Sequence, residues 1–116
     1  MRNLLEETVA VLKEQGMAPE DVAWVGSADG KFAINWEEFK EISNFEYDNG
    51  FGVQEIASDL VIVGKDWWLE RHEYDGSEWW EFKRQPKRQN EYSPFRNLMM
   101  DDYGFGDSLI KINKAR

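Results

Sequence analysis

Leu60-Val61-Ile62-Val63-Gly64-Lys65-Asp66-Trp67-Trp68-Leu69-Glu70-Arg71-His72-Glu73-Tyr74-Asp75-Gly76-Ser77-Glu78-Trp79-Trp80-Glu81-Phe82-Lys83-Arg84 is the stretch that decides the fold. Leu60 to Val63 is apolar on both sides of a two-residue repeat, which predicts a central strand. Gly64-Lys65-Asp66 turns the chain. Trp67 to Tyr74 and Ser77 to Arg84 read as two more strands joined at Asp75-Gly76, so the three form an antiparallel meander. A two-residue loop sets Leu69 opposite Phe82, Arg71 opposite Trp80 and His72 opposite Trp79. It also sets Glu70 opposite Glu81, an unfavourable like-charge pair. A three-residue loop, Tyr74-Asp75-Gly76, sets Glu70 opposite Trp80 and His72 opposite Glu78 instead. Both registers stay open on the residues alone.

The chain has 6 tryptophans, and four of them form the pairs Trp67-Trp68 and Trp79-Trp80. Neighbours on a strand point to opposite faces, so each pair puts one ring on each side of the sheet. One set belongs in the core. The other needs a second covering layer or forms a binding platform.

Working outward towards the N-terminus, Asn44 to Ser58 reads as irregular, with turns at its glycines. Asn35 with Glu38 marks a helix start, and Trp36, Phe39 and Ile42 share one face of a short helix to about Ser43. Glu37, Glu38 and Glu41 point elsewhere and give it an acidic outer surface. Val22-Ala23-Trp24-Val25 and Lys31-Phe32-Ala33-Ile34 flank Asp29-Gly30 as a hairpin. Leu4, Leu5, Thr8, Val9, Val11 and Leu12 form a helical stripe behind an Asn3–Glu6 capping box. Gly16 supplies its left-handed stop and Pro19 forbids continuation.

Towards the C-terminus, Gln85 to Pro94 is polar and extended. Phe95, Leu98, Met99 and Met100 predict one docked helical turn. Leu109, Ile110 and Ile112 predict a short last strand or docked tail. Asp102-Tyr103-Gly104-Phe105-Gly106 echoes Asp48-Asn49-Gly50-Phe51-Gly52, and the two read as aromatic loops with partial exposure. The expected organisation is one α+β domain. Residues 1–84 form the core, an antiparallel meander of about four to five strands with two helices mainly on one face. Residues 85–116 are a basic linker and docked tail of the same domain.

Charge and composition narrow the function classes. With 23 acidic and 14 basic residues the net charge is −9, which argues against direct nucleic-acid binding. Residues 1–82 carry 19 acids and 6 bases, while residues 83–116 carry 4 acids and 8 bases. The 116 residues include no cysteine and 1 histidine, which removes thiolate metal sites, disulfides and multi-histidine centres. The longest aliphatic run falls far short of the ~20 apolar residues of a membrane span. The first residues lack a signal-peptide core, so a cytoplasmic protein is expected.

No Lys-Ser/Thr pair or third glycine follows Gly50 and Gly52, so a phosphate loop is not expected. No serine sits in a nucleophile elbow. Glu70, His72 and Glu81 share a face in the two-residue register, and such a cluster is the candidate for acid–base or cation chemistry. Asp101, Asp102 and Asp107 lack calcium-loop spacing. The expectation is therefore no enzyme activity, no cofactor and no metal.

The run from Asp59 to Lys83, together with Asp21-Val22-Ala23-Trp24-Val25-Gly26-Ser27 and Glu46-Tyr47-Asp48-Asn49-Gly50-Phe51-Gly52, resembles a known group. These are small, acidic, mostly uncharacterised proteins encoded by phages and prophages of Gram-positive bacteria. The resemblance covers roughly residues 20–86. It implies a genomic setting in which small acidic proteins act against host defence, including as anti-CRISPR inhibitors. The expected function is an inhibitor whose acidic surface imitates DNA phosphates in the basic groove of a host nuclease or CRISPR effector. Residues 29–59, with 8 acids and 2 lysines, supply its face: Glu37, Glu38, Glu41, Glu46, Asp48 and Glu55, with Tyr47 and Phe51 as aromatic anchors. The alternative is a structural or regulatory module that forms a homodimer through exposed aromatics.

Overall fold

The computed structural model describes residues 1–50, 52–100 and 106–114. Contacts divide the chain into two compact units, residues 1–85 and 86–116.

In the first unit, strand β1 (Arg2–Asn3) leads straight into helix α1 (Leu4–Glu14). The Asn3 side chain accepts the Glu6 amide at 3.0 Å and caps the helix. At the other end Gly16 takes a φ of 74°, with Gly16 N donating to Lys13 O and Met17 N to Leu12 O. That pair of bonds is the Schellman stop that the glycine predicts. A 3₁₀ turn at Pro19–Asp21 leads to β2 (Trp24–Ser27), β3 (Ala33–Ile34), α2 (Trp36–Ile42) and β4 (Glu46–Tyr47). The meander follows as β5 (Leu60–Val63), β6 (Trp67–Tyr74) and β7 (Ser77–Arg84).

The main sheet is antiparallel with order β3-β2-β5-β6-β7, which places apolar β5 at its centre as expected. The two-residue register is adopted: Leu69 faces Phe82, Arg71 faces Trp80 and Glu70 faces Glu81. Asp75 and Gly76 have φ of 53° and 87°, the positive pair a tight hairpin turn demands. The expected first hairpin forms around Asp29-Gly30, with β2 paired to β3 and Gly30 at a φ of 75°. Ser27 and Phe32 close its four-residue loop through Ser27 N to Phe32 O at 3.0 Å. Asp29 serves that loop by accepting from Ser27 Oγ at 2.6 Å and Lys31 N at 3.0 Å.

Both helices cover one face. Leu4 and Leu12 of α1 and Trp36 and Phe39 of α2 join Val25, Ile62, Leu69 and Trp80 of the sheet in one core cluster. The tryptophan pairs split as expected: Trp67 and Trp80 are buried, Trp68 is half-buried and Trp79 exposed. Segment 44–58, expected to be irregular, contributes β4, which pairs with β1 in a separate two-stranded sheet. Ile42 also departs from expectation: it is 66% exposed rather than in the core.

In the second unit, where a short last strand or docked tail is expected, Leu109–Asn113 forms a short helix, α3, capped by Ser108, which accepts Lys111 N. Residues 95–100 form no helical turn. Asn113 ties this unit together by accepting Asn97 N at 3.1 Å and donating to Asn97 O at 3.1 Å. The aromatic anchor Phe51, Asp101 and residues 102–105 of the echoed loop lie outside the described residues.

Candidate functional site

The acidic residues of the first unit fall into two physical classes, buried and exposed. Glu7 and Glu78 are buried around Arg71, whose side chain has no exposed surface. Arg71 Nη2 donates to Glu78 Oε1 at 2.8 Å and to Tyr47 Oη at 3.0 Å, and Nη1 lies 3.5 Å from Glu7 Oε2. Its guanidinium also stacks over Trp80 at 4.7 Å and Tyr47 at 5.6 Å. Burial alone pushes the Arg71 pKa down, but the bonds to Glu78 and Tyr47 outweigh it and hold the cation. Tyr47 Oη donates to Glu7 Oε1, and burial followed by that bond pushes its pKa up to about 12. Trp80 Nε1 donates to Thr8 Oγ1 at 2.9 Å, and Thr8 in turn donates to Leu4 O at 2.7 Å. This is a structural network: it ties α1 and β4 to the meander.

Tyr47 therefore cannot serve as a surface anchor. Its side of β4 faces the core, and the residue is 3% exposed. Glu37, Glu38 and Glu41 are all exposed on α2, where Glu37 pairs with Lys40 at 3.1 Å. Glu46 is exposed on β4. Asp48 is half-buried and engaged locally: its amide donates to Glu55 Oε2 at 2.9 Å and its carboxylate accepts Gly50 N at 3.1 Å. Glu55 is exposed, and its own amide donates to Glu78 at 2.7 Å. The loop is thus built onto the buried ion pair.

A cleft of about 490 Å³ lies between the end of α2, the first hairpin and the segment that follows β4. Phe39 and Ile34 form its inner wall, and exposed Phe32, Ile42 and Phe45 form its rim. Glu55 and Asp59 stand at the same cleft. Ser43 Oγ lines it, buried with no hydrogen-bond partner among the described residues. Glu38 lies one helical turn before Ile42, so an acid and an apolar contact share one stripe of α2. Sequence reasoning missed this rim. Ile42 continues the helical stripe of Trp36 and Phe39, yet at the last position of α2 it stands exposed at the cleft rim.

On the outer face of the sheet, His72 lies 2.7 Å from Glu70 through Nε2 and 2.7 Å from Glu81 through Nδ1. The imidazole thus sits between the two carboxylates that the register places opposite each other. The Trp68 indole N–H, 2.7 Å from Glu70, holds the Glu70 carboxyl below its usual pKa, with His72 and Lys83 adding to that shift against partial burial. The three side chains meet as the two-residue register requires. Among the described residues, no group of three or more His, Asp or Glu is placed to hold a metal ion. Nor, among them, is any helix long and apolar enough to cross a membrane. Comparison with protein-family models, curated proteins and solved structures found no match for this chain.

Proposed function

We propose that this chain is a non-enzymatic protein-binding module that engages a basic partner through α2 and the adjoining cleft. The carrying observation is a row of exposed acids, with one ion pair among the described residues, beside exposed apolar side chains. Glu37, Glu38 and Glu41 supply negative charge, while Phe32, Ile42 and Phe45 supply contact area at the cleft rim. Charge of this kind sets encounter rate and register, and apolar anchors set residence time. Glu46 and Glu55 extend the acidic field.

The partner chemistry that fits is a protein groove lined by lysine and arginine, of the kind that holds nucleic-acid phosphates. Spaced carboxylates on a short helix occupy such a groove in place of phosphates. On the sequence resemblance, the partner class is a host defence nuclease or CRISPR effector, and the protein acts as its inhibitor inside the host cell.

The test is affinity capture from a Gram-positive host lysate, run beside the variant Glu37→Lys/Glu38→Lys/Glu41→Lys. The reading expects a nucleic-acid-binding protein retained by the parent, absent with the variant, released by raised salt and displaced by duplex DNA. Retention that ignores both the triple reversal and salt would remove α2 from the interface.

One observation favours a second reading, self-association. Phe32 is 78% exposed beside β3, an edge strand of the main sheet. An open edge with an apolar flank pairs readily with a second copy. Solution mass that falls on dilution, and stays monomeric in Phe32→Lys, would select this reading.

A further inference from the structure

We propose that the outer face of the sheet holds a binding site for a small alkylated ammonium cation, in the cleft between Trp24 and Trp68. The site shares Asp59 and Leu60 with the α2 cleft, but its tryptophan walls stand on the outer face of the sheet, and it does not depend on the partner reading.

The register builds its walls. Trp24, Val63 and Trp68 form one row across β2, β5 and β6. Adjacent strands lie ~4.8 Å apart, so the two indoles rise roughly 10 Å apart with a small valine between them. That is wider than one stacked planar ring requires and suits a rounder, tetrahedral head. The cleft measures about 430 Å³, with buried Val61 also lining it. This lies within the ~300–1,000 Å³ range of small-molecule sites.

The electrostatics select a cation. Asp59 and Glu70 line the cleft together with the two tryptophans. Arg71 also contributes atoms to its wall, but its guanidinium is turned to the opposite face and held by Glu78. His72 and Lys83 lie near Glu70 on the same face, each beside Glu81. Even with both counted as cations, Asp59, Glu70 and Glu81 leave an excess of negative charge. Electron-rich ring faces and carboxylates both attract an ammonium head. An anion meets repulsion there, and a neutral sugar leaves the carboxylates without a counter-charge.

One wall is preset. Trp68 Nε1 donates to Glu70 at 2.7 Å, which fixes the indole before a ligand arrives. Glu70 keeps further acceptor capacity, because an ionised carboxylate offers about four lone-pair directions.

The experiment is a titration of the full chain with choline, following the tryptophan indole N–H signals by NMR. Parallel titrations use dimethylbutanol, the neutral isostere with carbon in place of nitrogen, and a peptide carrying trimethyllysine. Choline is expected to shift the Trp24 and Trp68 signals saturably, with a Kd on the order of 1 mM. The neutral isostere should bind at least tenfold more weakly. Asp59→Asn, an exposed position that leaves the core untouched, and Trp24→Ala should each weaken choline at least tenfold. Tighter binding of the peptide than of choline would assign the head group to a modified protein side chain. Equal affinity would assign it to a free small molecule. No saturable shift with choline or the peptide, equal binding of the isostere, or indifference to Asp59→Asn would each overturn the proposal.

Discussion

Removing one partner from the Arg71 cluster strands a charge in the core. Breaking a buried pair from one side costs about 3–5 kcal/mol. Glu78→Gln is therefore expected to lower urea-unfolding stability by that order, and it also weakens the acceptor of the Glu55 and Ile56 amides. Tyr47 adds a pH dependence. Its folded pKa, about 12, lies above its ordinary 10.0, so the folded state holds that proton more tightly. The corresponding stabilisation is complete below pH 10 and disappears as pH rises through 12. Two units correspond to about 3 kcal/mol. The stability of the parent should fall by about that much more than that of Tyr47→Phe between these limits, as measured by denaturant unfolding at each pH. A parallel decline in both would reassign the loss to other groups. None of this network was legible from residue type, because Glu7, Arg71 and Glu78 resemble the solvated charges around them. Its one signal was the register that sets Arg71 opposite Trp80, on the inward face.

Single positions govern several elements. Gly26 of β2 is tight without any positive φ: an added Cβ would sit 1.8 Å from the Phe32 carbonyl oxygen. That oxygen accepts Ser27 N and closes the first hairpin, so it cannot move freely. Gly26→Ala should cost about 3 kcal/mol and detach β3, seen as faster amide exchange at Ser27. The Asp75-Gly76 turn is strained differently, through left-handed backbone, and Gly76→Ala should cost about 1 kcal/mol. Helix ends and the meander were legible because they depend on local chemistry: Asn3, Asn35, Gly16 and Asp75-Gly76 all act where the sequence places them. The β1–β4 pairing was not, because two-residue strands have no periodicity and their partners lie 45 and 43 residues apart, as Arg2–Tyr47 and Asn3–Glu46.

At the scale of the whole molecule, the core cluster and its packed neighbours among the described residues lie between Leu4 and Phe82. A chain ending at Gln85 should therefore keep the cooperative melting of its parent, by calorimetry, with Trp80 still buried. Loss of the transition would show that residues beyond Gln85 complete the core. The acidic half of the candidate site was legible in composition, since exposed Glu37, Glu38 and Glu41 follow from helix geometry. Its apolar half was not, because Phe32, Ile42 and Phe45 come together only through the tertiary path around the cleft.

The buried cluster also orders events during synthesis. Glu7 and Arg71 are separated by 64 residues. At ribosomal rates of ~5–20 residues per second, helix α1 waits about 3–13 s for its partner to be made. Through that interval Glu7 and Thr8 stay hydrated, and the apolar stripe of α1 has no sheet to cover. The hairpin of β6 and β7, by contrast, closes on its nearest neighbours as soon as it emerges. Nascent chains arrested before Arg71 should be cut readily by protease within α1, while chains arrested well past Arg84 should resist. The expected order of assembly thus runs from the meander back towards the first helix, against the direction in which the chain is translated.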